Sequence, residues 1–117
     1  MDSKVQYLIE FSLQDGQQDT FKKLAGQAIE QTKKEPGTLN YQAYFNQDES
    51  KFFVMEQYAD SPAAMQHLNN VTPILTELLQ ISSVSRLEVF GPMAEENRAV
   101  ATSLGAVFYN HFDGFTR

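Results

Sequence analysis

The segment from Glu35 to Leu68 constrains the fold of this chain more than any other part of the sequence. It contains a Pro-Gly break, then the alternating run LNYQAYF and the strand-forming run KFFVMEQY on either side of NQDES, and finally an Asp-Ser-Pro helix start. The residue before a proline avoids helical geometry, and alternation with period two is typical of strands. The segment therefore predicts the end of one helix, a β-hairpin and the beginning of a second helix.

The flanking sequence extends this pattern in both directions. Residues 4–13 alternate and predict a first strand, and SSVSRLEVFG predicts a fourth strand over residues 82–91. Between the first strand and the hairpin lies an apolar stripe with helical spacing, formed by Phe21, Leu24, Ala25, Ala28, Ile29 and Thr32. The resulting order, β-α-β-β-α-β, predicts an α+β fold of the ferredoxin-like type.

The second helix has a clear start and a weak point. Asp60 or Ser61 is expected to cap its N-terminus, with Pro62 at the tolerated first position. An apolar face continues to about residue 80, but Pro73 lacks the backbone N–H that a helix interior needs. We therefore expect a break or kink at this proline, with Thr72 as a second cap.

Residues 92–117 are expected to form an extension of this core. A third helix should follow Gly91-Pro92 and end before Gly105. Its inner stripe is predicted to comprise Met93, Asn97, Val100, Ala101 and Leu104. The AVFYNHF motif then predicts a short fifth strand. A chain of 117 residues suits a single domain, which we divide into a core over residues 4–91 and the extension.

Charge and cysteine content exclude several classes of function. The formal net charge is −6, whereas binding to nucleic acid or to anionic lipid needs a basic surface. Cysteine is absent, which excludes disulfides, thiolate catalysis and cysteine-based metal sites. The N-terminal MDSKVQYLIEF has no apolar run of the signal-peptide type. We expect a soluble cytoplasmic protein with neither nucleic acid nor membrane as a partner.

The sheet face that the first two helices leave uncovered predicts a homodimer. Alternation assigns to this face Leu8, Val54 or Phe53, Leu87 and Val89, among polar residues. Such a face is too apolar for water and too polar for a core. Pairing two sheets around a two-fold axis would bury it.

The sequence contains no motif for a bound cofactor or metal. The glycines are scattered, with no GxGxxG or GxxxxGK[ST] spacing, and no GxSxG elbow is present. The two histidines, His67 and His111, are far apart, and neither has metal-ligand spacing to neighbouring carboxylates. We therefore expect no flavin, haem, nicotinamide or metal, and we assign no role to His111.

The ordered set of Pro-Gly break, Leu-x-Tyr strand, Phe-x-x-x-Glu-x-Tyr strand and Asp-Ser helix start resembles the antibiotic biosynthesis monooxygenase family. The resemblance includes the pattern Tyr-Ala-Asp-x-x-Ala-x-x-x-His-Leu, which ends at Leu68, and it extends over residues 4–91. It implies a small dimeric α+β barrel in which two sheets form an eight-stranded barrel. It also implies oxidation of electron-rich phenols or hydroquinones by O2 without a prosthetic group, because the deprotonated substrate supplies the electrons.

His67 occupies the position of the family's helix histidine, and the resemblance implies a catalytic acid–base or phenolate-binding role. An imidazole near neutral pKa is suited to that chemistry. The alternative is a structural histidine at the edge of the buried stripe that bonds a backbone carbonyl. If His67 has the catalytic role, His67→Ala should abolish O2 uptake with a hydroquinone while barely changing the melting temperature, because a boundary imidazole contributes little packing. A core histidine would instead lose stability and activity together.

Four further residues are candidates for substrate binding. Tyr58 and Tyr44 could donate phenolic hydroxyls into a pocket, although strand tyrosines often serve cross-strand packing. Glu56 is an unusual residue in the middle of a strand; it is either a base or, in the reading we favour, the ion-pair partner of Arg86. Phe11, on the apolar face of the first strand, is the fourth candidate.

Two functions remain open at this point. The first is a cofactor-independent monooxygenase acting on a small quinol-like or polyketide-like aromatic. The second is a non-oxygenase dimeric barrel that binds or isomerises a small metabolite. Haem degradation is not expected, because related haem-degrading enzymes use a tryptophan on the second helix, and tryptophan is absent here.

Overall fold

Five strands and three helices make up the computed structural model, which describes residues 2–117. In chain order they are β1 (Val5–Leu13), α1 (Gln18–Thr32), β2 (Thr38–Phe45), β3 (Lys51–Tyr58), α2 (Ser61–Leu78), β4 (Ser82–Phe90), α3 (Glu95–Ser103) and β5 (Val107–Tyr109). The strand order is β2-β3-β1-β4-β5, with β5 parallel to β4 and the other neighbours antiparallel. The predicted ferredoxin-like α+β fold, with its C-terminal helix and short strand, is confirmed.

The core lies between the helices and one face of the sheet. Its buried members include Val5, Ile9, Phe11, Phe52, Val54, Leu87 and Val89 from the strands, and Phe21, Ala25, Leu78 and Ala101 from the helices. The ring centroids of Phe21 and Phe52 are 5.0 Å apart in edge-to-face geometry. Burial of each such ring contributes roughly 1.5–3 kcal/mol. The predicted stripe of α1 faces this core.

The uncovered sheet face differs from the predicted one on β4. Of the alternatives on β3, Phe53 lies on this face, and Val54 belongs to the core. The assignment of Leu87 and Val89 to this face is wrong, because both are buried beneath the helices. The pairing of β4 with β1 shifts register at a bulge around Ser85, and such an extra residue reverses the side to which later residues point.

Helix α2 continues past Pro73, from Ser61 to Leu78. Pro73 has no N–H to donate to the carbonyl of Asn69. Both residues are exposed, so water can hydrogen-bond to that carbonyl instead. The second cap predicted at Thr72 is wrong, because its hydroxyl donates back to the carbonyl of Leu68 at 2.5 Å. Asp60 is the N-cap and accepts from the amide of Ala63. Among the helices of residues 2–117, none has the length and apolar character to cross a membrane.

Helix α3 is anchored to the start of α2. The side-chain amide of Asn97 donates to the carbonyl of Ser61 at 2.8 Å, and the Ser61 hydroxyl accepts from the amide of Ala94 at 2.9 Å. The guanidinium of Arg98 lies 4.6 Å from the ring centroid of Phe108 in β5. Gly105 follows the helix with φ +84°, the left-handed geometry that favours glycine. These contacts hold α3 beside the start of α2, next to the interface between α2 and the sheet.

Candidate functional site

A buried imidazole lies between two carboxylates at the centre of the molecule. His67, on α2, is 8% exposed. Its Nδ1 is 2.9 Å and 3.2 Å from the two carboxylate oxygens of Glu35, and its Nε2 is 3.5 Å from Oε1 of Glu56. The two glutamates therefore flank opposite edges of the ring.

Glu35 orients the imidazole. It follows the end of α1, where its amide bonds the carbonyl of Thr32, so the helix stop brings its side chain against α2. Its carboxylate also accepts from the Thr38 hydroxyl and from the Asn70 amide, each at 2.6 Å. A carboxylate can only accept hydrogen bonds, so Nδ1 of His67 must carry the hydrogen in its contact with Glu35. The hydrogen-bond network thus assigns the Nδ1–H tautomer.

Glu56 points inward from β3 into a row of otherwise apolar or aromatic residues. The hydroxyl of Tyr58 donates to its Oε1. The residues opposite it on the neighbouring strands are Tyr7 and Tyr41, so it is flanked by tyrosines on both sides. Burial raises the pKa of Glu56, and the charge of Glu35 acts in the same direction, while His67 and the Tyr58 hydrogen bond oppose the shift.

The three tyrosines around Glu56 remain phenols. Burial, followed by the charge of Glu56, raises the pKa of Tyr7, Tyr41 and Tyr58. The rings of Tyr41 and Tyr58 lie 5.7 Å and 5.3 Å from the His67 ring, and Tyr7 meets Tyr58 edge to face at 5.4 Å. These rings surround Glu56 and His67, and the Tyr58 hydroxyl donates to the carboxylate of Glu56.

A cavity of about 80 Å³ opens beside this cluster, between α2, the sheet and α3. Four of its lining residues are polar: Tyr7, Glu56, His67 and Asn97. The others are apolar: Ile9, Phe11, Ala64, Met65, Leu68, Val71, Leu75, Leu87, Val100, Ala101 and Leu104. Lysine and arginine do not occur among the described residues of this wall, so it is suited to a neutral, largely apolar ligand with one polar end.

The structure brings three of the five proposed site residues to the cavity. His67, Glu56 and Phe11 line it, and Tyr58 lies behind Glu56, to which it is hydrogen-bonded. Tyr44 is not brought there, because it points to the uncovered sheet face and is 52% exposed. His111 is exposed in the C-terminal tail.

Two interpretations of these side chains are corrected by their contacts. The proposed Glu56–Arg86 ion pair is wrong: Arg86 pairs with Glu88 at 2.7 Å on the uncovered face, while Glu56 points into the core. The structural alternative for His67 assumed a boundary ring bonded to a backbone carbonyl. The ring is instead buried, and its partners are carboxylates.

Sequence reasoning did not identify Glu35, Tyr7 or Tyr41 as members of the site. Glu35 was visible only as part of a helix stop, and it lies 32 positions before His67. The two tyrosines occur in phase with the apolar residues of their strands, so the sequence pattern does not distinguish them from ordinary core residues. For Glu56 the sequence did carry a signal, because this acid lies in phase with Phe52, Val54 and Tyr58 and so on the buried face of the strand.

Within the described part of the chain, no group of three or more histidine, cysteine, aspartate or glutamate residues is arranged to hold a metal ion. The Glu35–His67–Glu56 row is not such a group, because the imidazole separates the two carboxylates. Their oxygens do not converge on a common point.

Solved structures share this architecture. MupZ from Pseudomonas fluorescens is 27% identical and has a TM-score of 0.89, over 100% of this chain and 91% of MupZ. SnoaB, a cofactor-independent oxygenase from Streptomyces nogalater, is 16% identical with a TM-score of 0.67, over 79% of this chain and 95% of SnoaB. A conserved protein from Methanosarcina mazei Go1 is 17% identical with a TM-score of 0.68, over 77% of this chain and 93% of that protein.

The sequence itself was also compared with curated proteins and with protein families. Among curated proteins, no match was found. The family described as antibiotic biosynthesis monooxygenase matches residues 6–72, which is more than half of the chain and includes Glu35, Glu56 and His67. The chain therefore belongs to the antibiotic biosynthesis monooxygenase family.

Proposed function

We propose that this protein is a cofactor-independent monooxygenase for a small, neutral, quinol-like or polyketide-like aromatic substrate. The observation that carries the proposal is the imidazole of His67, which is oriented by Glu35 and lines an otherwise apolar cavity. Family membership supports an oxygenase role. The description of SnoaB as a cofactor-independent oxygenase supports the absence of a prosthetic group.

The proposed reaction begins with proton removal. With Nδ1–H held by Glu35, Nε2 of His67 is the basic atom that can accept a proton from a substrate hydroxyl. The resulting phenolate is electron-rich enough to reduce O2 directly. In the net reaction a phenol and O2 give a quinone and water, so one oxygen atom enters the product and the other leaves as water.

The cavity limits the size of the substrate in the conformation described. A cavity of roughly 150 Å³ takes up one benzene molecule, and the space here is about 80 Å³. An aromatic ligand must therefore displace part of the wall. Helix α3 is the wall element that can move with the least disturbance of the sheet, because it lies at the edge of the core.

Oxygen consumption tests this function. Purified protein is supplied with a panel of phenols and hydroquinones, and O2 uptake is followed with an electrode. We expect His67→Gln to reduce uptake by roughly 10²–10⁴-fold, the usual contribution of a general base. Glutamine suits this test better than alanine, because His67→Ala would remove the ring that lies between two buried carboxylates and destabilise the fold. His111→Gln, in the exposed tail, is the matched control and should leave uptake unchanged. Equal uptake by wild type and His67→Gln would contradict the proposal.

A second candidate is proton transfer without O2, such as isomerisation of a small metabolite. The pairing of Glu56, whose pKa burial raises, with His67 favours it, since one group can donate while the other accepts. The discriminating condition is anaerobic turnover. An isomerase keeps its activity when O2 is removed, and a monooxygenase loses it.

We also propose that two copies of the chain form a homodimer through the uncovered sheet face. Tyr44, Met55 and Tyr109 are exposed on this face, which also carries the charged Arg86–Glu88 pair. Monomeric proteins rarely leave a continuous apolar patch of this kind in water.

A further inference from the structure

Two atoms at the cavity wall lack a protein hydrogen-bond partner within residues 2–117: Oε2 of Glu56 and Nε2 of His67. Oε1 of Glu56 takes the Tyr58 hydroxyl, and Nδ1 of His67 is committed to Glu35. Throughout that part of the chain, every fully buried side-chain oxygen or nitrogen has a partner. The two atoms must therefore retain some accessible surface, and both residues line the cavity.

The hydrogen bonds also restrict where protons can sit. Nδ1 of His67 donates to Glu35, and Oε1 of Glu56 accepts from Tyr58. An acidic proton belonging to the pair can then occupy either Oε2 of Glu56 or Nε2 of His67. Oε1 and Nε2 are 3.5 Å apart, so the two groups are close enough for the charge state of one to control the other.

We propose that Glu56 is a second catalytic residue, which at rest carries the proton on Oε2 and leaves Nε2 of His67 free as the base. The pair then offers one acid and one base to the same small cavity. This inference rests on the proposed monooxygenase function, and it adds the group that delivers a proton to the reduced oxygen.

The two groups can complete the reaction and return to their starting state. Nε2 of His67 takes the hydroxyl proton of the phenol, a C–O bond forms between a ring carbon and O2, and Glu56 protonates the distal peroxide oxygen. The Glu56 carboxylate then removes the proton from that ring carbon. The C=O bond forms as the O–O bond breaks, and the imidazolium protonates the departing hydroxide to water. The substrate loses four electrons, and both atoms of O2 are fully reduced.

The surroundings of Glu56 are consistent with a protonated resting state. Tyr7 on β1, Tyr41 on β2 and Tyr58 on β3 face it as neutral phenols, and α3 contributes the neutral Asn97 to the shared cavity. Glu35 adds a second carboxylate on the far side of the imidazole. Burial raises the pKa of Glu56, and the negative charge of Glu35 raises it further. His67 is the only cationic partner close to it in the described chain, and only when protonated.

The resting state is tested without substrate by infrared spectroscopy at neutral pH. A protonated carboxylic acid has a carbonyl stretch separate from that of a carboxylate. We expect this band in wild type, its loss in Glu56→Gln and its retention in Glu30→Gln, which changes an exposed glutamate of α1. A wild-type spectrum with no such band would overturn the proposal, even if Glu56→Gln failed to fold.

Turnover then separates a catalytic from a structural role. Glutamine at position 56 keeps the volume and an acceptor for Tyr58 but cannot supply the proton. We expect kcat to fall on the order of 10²–10⁴-fold with little change in KM, and the basic limb of the pH profile to disappear. Unchanged kcat in folded Glu56→Gln would refute the catalytic role. If no substrate is oxidised by any variant, the monooxygenase function fails, while the infrared result still decides where the proton rests.

Discussion

At the scale of single residues, the site depends on contacts that link distant parts of the chain. The position of His67 could be predicted from the Tyr-Ala-Asp motif, and Glu56 was conspicuous as an acid in a strand. Glu35 could not be predicted, because a residue just after a helix has no local signal for a partner 32 positions away. The pairing of Glu56 was misassigned for a related reason: the side of the sheet to which Arg86 points depends on a bulge.

Glu56 should make stability depend on pH in a particular direction. A carboxyl group whose pKa is raised by folding stabilises the protein below its unfolded value of about 4.5 and loses this contribution as pH rises through the folded value. Glu56→Gln removes the titration. We therefore expect the melting temperature of Glu56→Gln relative to wild type to increase as pH rises above 4.5. Thermal unfolding at a series of pH values measures this difference, with Glu30→Gln as a control that should show none. A difference that decreases with pH would mean that Glu56 is held as a stabilised carboxylate.

At the scale of secondary structure, periodicity predicted the elements and their order, whereas their irregularities required tertiary context. The stripe of α1 and the alternation of β1 reflect burial on one side, which leaves a direct mark in the sequence. The bulge near Ser85 and the unbroken passage of α2 through Pro73 leave no such mark. In each case packing against the rest of the fold outweighs a local preference, at a cost of about 3 kcal/mol for an interior proline.

Helix α3 should loosen without disturbing the sheet when its anchor is removed. Asn97→Ala deletes the buried hydrogen bond to the carbonyl of Ser61, and such a bond contributes about 0.5–1.5 kcal/mol. We expect faster amide exchange over residues 95–103 and unchanged exchange in β1 and β3, measured by hydrogen–deuterium exchange with mass spectrometry. Thr102→Ala, at an exposed position of the same helix, is the control. Equal acceleration in β1 would show that α3 and the sheet open as one unit.

At the scale of the whole molecule, the helices bury one side of the sheet and leave the other side uncovered. Leu8 was correctly assigned to that side from the sequence, whereas the choice between Val54 and Phe53 stayed open and is decided by the structure in favour of Phe53. The full apolar content of this side follows from the register. The C-terminal strand extends the same surface, since Tyr109 stacks on Phe90 at 4.9 Å. The surface therefore crosses the whole sheet, from β2 to β5.

A charge in the middle of this surface should prevent dimerisation. Met55 is 41% exposed, so Met55→Lys adds a charge at little cost to the folded monomer. We expect wild type to sediment as a dimer at micromolar concentration, burying on the order of 2,000 Å² in total, and Met55→Lys to sediment as a monomer. Lys23→Glu, on the exposed side of α1, should remain dimeric. A wild-type monomer at these concentrations would disprove the interface.

Because His67 is buried and His111 is exposed, the native histidines can serve as spectroscopic probes of the interior. The chain contains two histidines, one enclosed in the site and one in the C-terminal tail. A proton NMR spectrum in deuterated water therefore contains two sets of imidazole C–H resonances. The set from the tail should be sharp, with chemical shifts close to those of free histidine. The other set reports on the interior directly. Ligand entry, proton movement and opening of α3 can all be followed on native protein, without isotope labelling or an added probe.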